Sequence, residues 1–240
     1  MSATVIDRIA PTRRPDGPVA GYQRWRSLLF LHWPVPVDRL RPLVPAELTL
    51  DLYGDVAYVG VVPFAMEGVR PRWWPEFLAL RFLETNVRTY VVYQGKPGVF
   101  FFSLEANSRL AVLGARVGWG LPYHYARMEM SRSGDEIAYH TRRASSEAVH
   151  QVRYQVGEAL GASRPETLEH FFLERYFLFV KRRGQLLSGQ VHHSPYPAHQ
   201  VRVLDVHDEL IGAAGLPAVT GPPVFAHYSP GVDVEVFPLR

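Results

Sequence analysis

The sequence predicts a mainly β (α+β) fold: one antiparallel β domain with a long helix and a short helix packed on it. Along most of the chain, apolar runs of strand length alternate with turn residues such as Gly, Pro, Asn and Asp. Residues 82–91 alternate at a period of two, which is typical of a strand. Ser163 and Glu166 form a capping-box pattern ahead of a helical stretch. One sheet with a helix packed on it is the simplest architecture that fits.

Residues 1–20 are rich in Pro and Arg, and we expect them to form a flexible N-terminal arm. Residues 21–240 are expected to form a single domain, because 47% hydrophobic content is ample for a core. The sequence contains no window of 18 apolar residues, and its first 20 residues lack the apolar segment of a secretory signal. We therefore expect a cytoplasmic protein without a membrane partner.

Charge and residue content exclude several kinds of site. Because the chain has no cysteine, disulfides, thiolate metal ligands and a cysteine nucleophile are excluded. The net charge is +3 and the basic run at residues 181–183 is short, so no nucleic-acid partner is expected. The histidines lack the spacing of a metal motif, and no glycine-rich nucleotide motif follows a strand. We expect neither a metal nor a cofactor.

The first half of the domain is predicted to contain strands, with a short helix at residues 37–44. Residues 66–80 contain two tryptophans and two prolines, and we expect a loop there that covers a cavity. The predicted strands lie at residues 25–33, 48–63 (two strands around a turn at 53–55), 90–93 and 99–104, the last two flanking a five-residue hairpin loop.

The second half is predicted to continue the sheet and to contain the long helix. The strands are expected at residues 110–117, 123–130, 136–142, 186–193, 200–206 and 232–237. The helix is expected to follow Ser163, with one face carrying Leu168, Phe171, Phe172, Arg175 and Phe179. A charge on that apolar face needs a buried partner, and Glu84 is a candidate partner for Arg175.

The strand at residues 82–91 places an acid, an amide and a guanidinium on one face. Glu84, Asn86 and Arg88 stand two residues apart, and neighbours in such a row are roughly 7 Å apart. Phe82 and Tyr90 bracket the row, and the following strand is continuously apolar. We therefore expect the row to face an internal cavity, with Arg88 in a buried charge pair. A solvated outer face is the alternative.

Residues 116–126 form a second candidate group. Two glycines and Pro122 interrupt this stretch, as happens where a backbone approaches a ligand. Tyr123 and His124 follow directly. Because neighbouring side chains on a strand point to opposite faces, at most one of the two is expected to enter a given cavity.

Taken as a set, several segments resemble the acetoacetate decarboxylase-like superfamily and, within it, the YqjF-like branch, a domain of unknown function. The resemblance extends from Trp25 to Phe237. It implies a cone-shaped, mostly antiparallel β barrel whose interior holds the site. The segments that carry it are residues 29–35, 40–45, 82–91, 97–104, 121–126, 174–176 and 191–195.

The resemblance also implies roles for individual residues. The decarboxylases use a pair of lysines after a proline, and the first lysine forms a Schiff base with the substrate. Here Pro122 is present, but Tyr123 and His124 stand at the lysine positions. Glu84 falls at the position of the decarboxylases' site glutamate, and Arg116 at that of an arginine. The resemblance therefore implies the scaffold and the acid without Schiff-base decarboxylation.

Two functions fit these residues, both with a small-molecule ligand, and a homo-oligomer is compatible with either. The first is an enzyme of lyase or hydrolase type acting on a carboxylate- or carbonyl-bearing molecule without a Schiff-base lysine. The second is a non-catalytic binding or structural barrel whose polar groups satisfy one another. The catalytic candidates are Glu84, Tyr123 and His124. The substrate-binding candidates are Asn86, Arg88, Arg116, Arg175 and His32, which lies near the position of the decarboxylases' substrate-binding arginine.

Overall fold

The computed structural model describes residues 6–240, so the first five residues of the predicted arm lie outside the described part. The strands are β1 (Gly21–Val35), β2 (Thr49–Leu50), β3 (Ala57–Pro71), β4 (Leu80–Tyr93), β5 (Lys96–Ala106), β6 (Tyr123–Ser133), β7 (Glu136–Arg143), β8 (Val149–Gly161), β9 (Phe177–Arg182), β10 (Gln185–His192), β11 (Ala198–Asp208) and β12 (Phe225–Val236). The helices are α1 (Val37–Leu40), α2 (Arg109–Gly118), α3 (Leu168–Leu173) and α4 (Leu210–Ala213). Short 3-10 turns lie at Ala10–Thr12, Arg41–Leu43 and Glu76–Leu78.

The strands of residues 6–240 close into two rings that share one wall. The narrow ring, as we call it, runs through β12, β1, β3, β4, β5, β9 and β10 and returns to β12. The wide ring leaves β5 through β6, β7, β8 and β11 and returns through β12, β1, β3 and β4. Most neighbours are antiparallel, while β5 runs parallel to β6 and β9. The mainly β prediction is confirmed.

Strand β4 belongs to the shared wall, so both of its faces are buried. Val87 and Val91 pack into the core of the wide ring. Phe82 packs with strands of the narrow ring, and Tyr90 packs with the aromatic cluster of α3. Because side chains alternate along a strand, the polar row between Phe82 and Tyr90 faces the narrow ring. Its side chains are buried, and a solvated outer face is therefore the wrong reading of this strand.

The strand predicted at residues 110–117 is wrong, because α2 occupies this stretch. The Ser108 hydroxyl accepts a hydrogen bond from the Ala111 amide and caps the helix. Val112 packs against the narrow-ring core, whereas Leu113 and Val117 are exposed. A short apolar run fits a strand and a helix equally well, so the hydrophobic pattern alone could not separate them.

The long helix predicted after Ser163 is also wrong. Helix α3 spans six residues, and its cap is Thr167, whose hydroxyl accepts a hydrogen bond from the amide of His170. The stretch that follows is strand β9, which carries Phe179 and pairs with β10 and β5. Pairing of β9 closes the narrow ring, and tertiary pairing of this kind overrides local helical periodicity.

Two predicted loops are shorter than expected, and one strand was not predicted. Strand β3 continues to Pro71, which reduces the loop predicted at residues 66–80 to residues 72–79. The predicted five-residue hairpin loop is a two-residue turn, because Gln94 and Gly95 both have positive φ and match a type I′ turn. Strand β8 completes the wide ring without having been recognised in the sequence.

The described part of the predicted arm lies against the domain. Both terminal nitrogens of Arg8 donate to the Asp51 carboxylate at 2.6 Å, and Arg14 pairs with Glu235 at the same distance. Pro11 is buried. Among the described residues, no helix is long and apolar enough to cross a membrane.

Candidate active site

Glu84 and Tyr123 form a buried acid–phenol pair inside the narrow ring. They meet because β4 pairs with β5 and β5 lies beside β6, which aligns Asn86, Leu104 and Tyr123 across three strands. The Tyr123 hydroxyl donates to Oε2 of Glu84 at 2.6 Å. Burial raises the pKa of Glu84 to about 7, against the opposing effect of this hydrogen bond. An acid with that pKa can give or take a proton at neutral pH.

Asn86 and Arg88 continue the row with buried polar atoms that have no partner within residues 6–240. These atoms are Oδ1 of Asn86 and Nε of Arg88. Nη2 of Arg88 donates to the Phe172 carbonyl at 3.3 Å, and the guanidinium lies over the rings of Phe30 and Tyr90. None of the ion pairs in this part of the chain includes Arg88. The predicted buried charge pair of Arg88 is therefore wrong, because no carboxylate among residues 6–240 pairs with its guanidinium.

Arg175 pairs with Asp51 rather than with Glu84, so that predicted pairing is wrong. Its Nη1 donates to Asp51 at 2.6 Å, and its Nε donates to the Phe171 carbonyl at 2.6 Å. The guanidinium covers the ring of Tyr90 at 4.9 Å. Arg175 follows the end of α3, and these contacts hold that helix against the narrow ring.

His32 lies beside the row on strand β1 and is fully buried. Its Nε2 shares a hydrogen bond with the Tyr90 hydroxyl, and its ring stacks on Phe172 at 3.8 Å. Burial first, and then the nearby Arg88 charge, hold the pKa of His32 well below its usual range. The imidazole is therefore neutral at pH 7. Gly60 makes room for it, because a Cβ there would stand 2.9 Å from Nε2.

His124 and Arg116 are not brought to the Glu84–Tyr123 pair. His124 is aligned with Glu105, and its side chain lies on the opposite face of the sheet from that of Tyr123. Burial, with smaller effects of Arg143 and Arg116, lowers the pKa of His124 to about 4. Arg116 is exposed on α2, and its Nε donates to the Tyr123 carbonyl at 2.6 Å. Arg116 thus contacts the backbone of the site rather than its interior.

A second acid–phenol pair was missed in the sequence. The Tyr176 hydroxyl donates to Oε2 of Glu174 at 2.6 Å, and the Tyr196 amide donates to Oε1 at 3.1 Å. Burial raises the pKa of Glu174. Tyr196 in turn packs edge-on against Phe30, which underlies Arg88. Residues 174–176 belong to the segments that carry the resemblance. The predicted helix continues through them, whereas in the structure they follow the end of α3 and lie beside the narrow ring.

The two lysines of the chain lie away from this site. Lys181 forms an exposed ion pair with Glu47 at 2.7 Å. Lys96 begins β5, at the hairpin turn, and stands over the ring of Phe177. Within the described residues, no group of three or more His, Asp or Glu side chains could hold a metal ion.

The family model DUF2071, described as an uncharacterized conserved protein, matches residues 22–233. The chain belongs to the DUF2071 family. It is also 39% identical over 228 residues to the uncharacterized protein YqjF of Bacillus subtilis (strain 168), with 94% of each chain covered. The sequence resemblance to the YqjF-like branch is thereby confirmed for this DUF2071 protein.

The DUF2071 chain shares its fold with several solved structures. The enduracididine biosynthesis enzyme MppR complexed with pyruvate matches with a TM-score of 0.63 and 13% identity, covering 93% of this chain and 90% of its own. The acetoacetate decarboxylase of Legionella pneumophila matches with a TM-score of 0.61 and 15% identity, covering 99% and 94%. An acetoacetate decarboxylase-like enzyme of Sphingomonas wittichii RW1 matches with a TM-score of 0.61 and 12% identity, covering 93% and 92%. The predicted acetoacetate decarboxylase-like fold is confirmed.

Proposed function

We propose that this DUF2071 protein binds a small carboxylate- or carbonyl-bearing molecule inside the narrow ring and transforms it by acid–base chemistry of lyase or hydrolase type. The observation that carries the proposal is Arg88, a buried cation without a carboxylate partner among residues 6–240. Burying a charge without a partner is costly, and a ligand carboxylate would supply the missing charge. The planar guanidinium fork also matches a carboxylate geometrically.

The other groups of the row suit the rest of such a ligand. The unpartnered Oδ1 of Asn86, as judged within the described chain, can accept a hydrogen bond from a ligand hydroxyl or amine. Neighbouring residues of the row are roughly 7 Å apart, so the backbones of Glu84 and Arg88 are roughly 14 Å apart, and a small ligand would lie between the ends of these two side chains, beside Asn86. MppR, which shares the fold, is complexed with pyruvate, a small keto acid. This agrees with the proposed ligand class.

Glu84 would act as the proton-transferring group. With a pKa of about 7 it exists in both protonation states at neutral pH, so it can remove a proton from a ligand carbon or hydroxyl and return it. The Tyr123 hydroxyl holds Oε2 of Glu84 and thereby fixes the direction of the carboxyl group. Arg88 would hold the ligand carboxylate while the proton moves.

A non-catalytic binding or structural role is the second candidate. It is favoured by the Glu84–Tyr123 hydrogen bond, which satisfies both groups without any ligand. The two candidates differ in one observable step. Only the enzyme should exchange the methyl protons of pyruvate for deuterium in D2O, and only with Glu84 intact.

Pyruvate binding should depend on Arg88. We expect Arg88→Met to weaken binding at least tenfold, because a charge-assisted hydrogen bond contributes roughly 1.5–3 kcal/mol. The matched control is Arg81→Met, on the same strand but exposed, which should bind like the wild type. Calorimetric titration with pyruvate, and with acetone as a ligand that lacks the carboxylate, measures the difference. Equal affinity of Arg88→Met and wild type would contradict the proposal, as would the absence of pyruvate binding to either.

No Schiff base should form with a keto acid. Lys181 is exposed and ion-paired, and Lys96 is exposed at a hairpin turn, so neither amine has the desolvated setting that makes a lysine a Schiff-base nucleophile. The protein is incubated with acetoacetate and borohydride, and its intact mass is compared with that of a sample lacking acetoacetate. The expected result is an unchanged mass. A stoichiometric reduced adduct on either lysine would show that an amine nucleophile operates here.

A further inference from the structure

Tyr196 is a buried tyrosine on the segment that joins β10 to β11. Its neighbours Ser194, Pro195 and Pro197 are exposed, whereas Tyr196 is 3% exposed and packs in the narrow-ring core. Proline on either side restricts the backbone, and the amide of Tyr196 is held by its hydrogen bond to Glu174. The segment therefore turns the Tyr196 side chain into the ring and holds it there.

The hydroxyl of Tyr196 has no hydrogen-bond partner within residues 6–240. Other buried tyrosines around the narrow ring are bonded to a side chain, and the pairs are Tyr90–His32, Tyr123–Glu84 and Tyr176–Glu174. A buried phenol usually finds a partner, because leaving one without is costly. Some unpartnered polar atoms of the described chain are fully enclosed, but the Tyr196 oxygen is not one of them. A group the size of a water molecule can therefore touch this hydroxyl.

Tyr196 and Arg88 lie against the same aromatic ring, that of Phe30. The guanidinium carbon of Arg88 is 5.5 Å from the centre of that ring, and the Tyr196 ring meets it edge-on at 5.2 Å. Arg88 faces the ring interior and still keeps 9% of its surface accessible, so space remains beside it. Burial raises the pKa of Tyr196, and the charge of Arg88 opposes this without reversing it. The hydroxyl is protonated at neutral pH and able to donate.

We propose that Tyr196 is a catalytic residue of the narrow-ring site, whose hydroxyl donates a hydrogen bond to the keto oxygen of a 2-keto acid. This role rests on the proposed function. In a 2-keto acid the keto carbon is bonded directly to the carboxylate carbon, so a carboxylate held by Arg88 brings the keto oxygen close to Arg88. A free donor that flanks the same Phe30 ring is placed for that oxygen.

The hydrogen bond would strengthen during proton transfer. When ionised Glu84 removes a proton from the methyl carbon of pyruvate, the C–H electron pair forms a C=C bond and the keto π pair moves to the oxygen. The resulting enolate oxygen is charged and accepts more strongly from Tyr196, which keeps its own proton. Once the Glu84 proton has exchanged with D2O, a deuteron returns to the carbon and the keto acid is regenerated.

Infrared difference spectroscopy of bound pyruvate tests the contact itself. Carbon-13 at the keto carbon identifies the keto C=O band of the bound ligand. A hydrogen bond lowers this frequency, so we expect the band to lie higher in Tyr196→Phe than in the wild type. Tyr154→Phe, which changes a buried tyrosine of the wide-ring core, is the matched control and should leave the band in place. Identical bands in wild type and Tyr196→Phe would overturn the proposal.

Deuterium exchange and calorimetry separate catalysis from binding. We expect Tyr196→Phe to slow exchange of the pyruvate methyl protons by about 100-fold, as is typical when one donor to a developing oxyanion is removed. Pyruvate affinity should fall by less than about tenfold, because a neutral hydrogen bond to the keto acid contributes little. A loss of affinity as large as the loss of rate would show that Tyr196 only binds the ligand.

Thermal melting tests whether the hydroxyl is free of the protein. Tyr196→Phe should melt at or above the wild-type temperature, because no protein hydrogen bond is lost. Tyr176→Phe removes the bond to Glu174 and should melt below it. A drop in Tyr196→Phe as large as that in Tyr176→Phe, or a failure of Tyr196→Phe to fold, would show that the hydroxyl serves the fold and would overturn the proposal.

The proposed function and the role of Tyr196 can fail separately. If the wild type neither binds pyruvate nor exchanges its protons, the proposed function fails and the role of Tyr196 fails with it. If the wild type exchanges the protons and Glu84→Gln does not, unchanged exchange in Tyr196→Phe would refute the role of Tyr196 alone.

Discussion

Asp51→Ala should lower the free energy of unfolding by about 3–5 kcal/mol, because it leaves a buried guanidinium without its counter-charge. Asp51 is buried and accepts hydrogen bonds from Arg175, which is itself buried, and from Arg8, which is partly exposed. Once the carboxylate is removed, two neighbouring cations repel each other and Arg175 stays dehydrated. The effect should exceed that of any single surface change in this chain.

Urea denaturation of wild type and variant measures this difference. Glu47→Ala serves as the matched control, because it removes an exposed ion pair with Lys181 and should leave the unfolding free energy nearly unchanged. The two acids lie only a few residues apart in sequence, which makes burial the main difference between them. A loss in Asp51→Ala no larger than that in Glu47→Ala would show that the Asp51–Arg175 pair does not stabilise the fold.

Glu84→Gln should stabilise the protein increasingly as the pH rises. The pKa of Glu84 is raised from 4.5 to about 7 in the folded state, so the folded protein holds a proton that the unfolded chain has released. The free energy of unfolding therefore falls as the pH rises from 4.5 to about 7, by a total of about 3 kcal/mol. Glutamine does not titrate and can still accept the Tyr123 hydrogen bond, so the variant avoids this loss.

Denaturation at a series of pH values from 5 to 8 isolates this effect. The difference in unfolding free energy between Glu84→Gln and wild type should grow with pH and level off above pH 7. His32 and His193 have lowered pKa values and cause a loss of stability as the pH falls, but both proteins share this loss and it cancels in the difference. Glu129→Gln, an exposed position on β6, is the control. A pH-independent difference would show that Glu84 ionises without cost.

The polar row could be predicted from the sequence because it depends on local alternation alone. A period of two places Glu84, Asn86 and Arg88 on one face whatever the rest of the chain does. The same alternation predicts that the side chains of Tyr123 and His124 point to opposite faces. Which of the two joins Glu84 depends on the parallel pairing of β5 with β6, and no local signal reports such pairing.

The partners of the buried charges could not be predicted for the same reason. Asp51 and Arg175 are 124 residues apart in sequence, and the predicted helix continues through Arg175, whereas α3 ends at Leu173. The apolar runs that became α2 and β9 were too short for periodicity to decide between helix and strand. Tertiary contacts determine which structure each run adopts: β9 completes the narrow ring, and α2 packs against it.

The wall shared by the two rings couples their cores. Neither ring can release β1, β3, β4, β5 or β12 without opening the other. A one-residue slip of β4 would exchange Val87 with Arg88 between the two interiors, and both cores oppose that exchange. The spacing of the row that carries Glu84 is consequently fixed before any ligand arrives, which spares a ligand the entropy of ordering it.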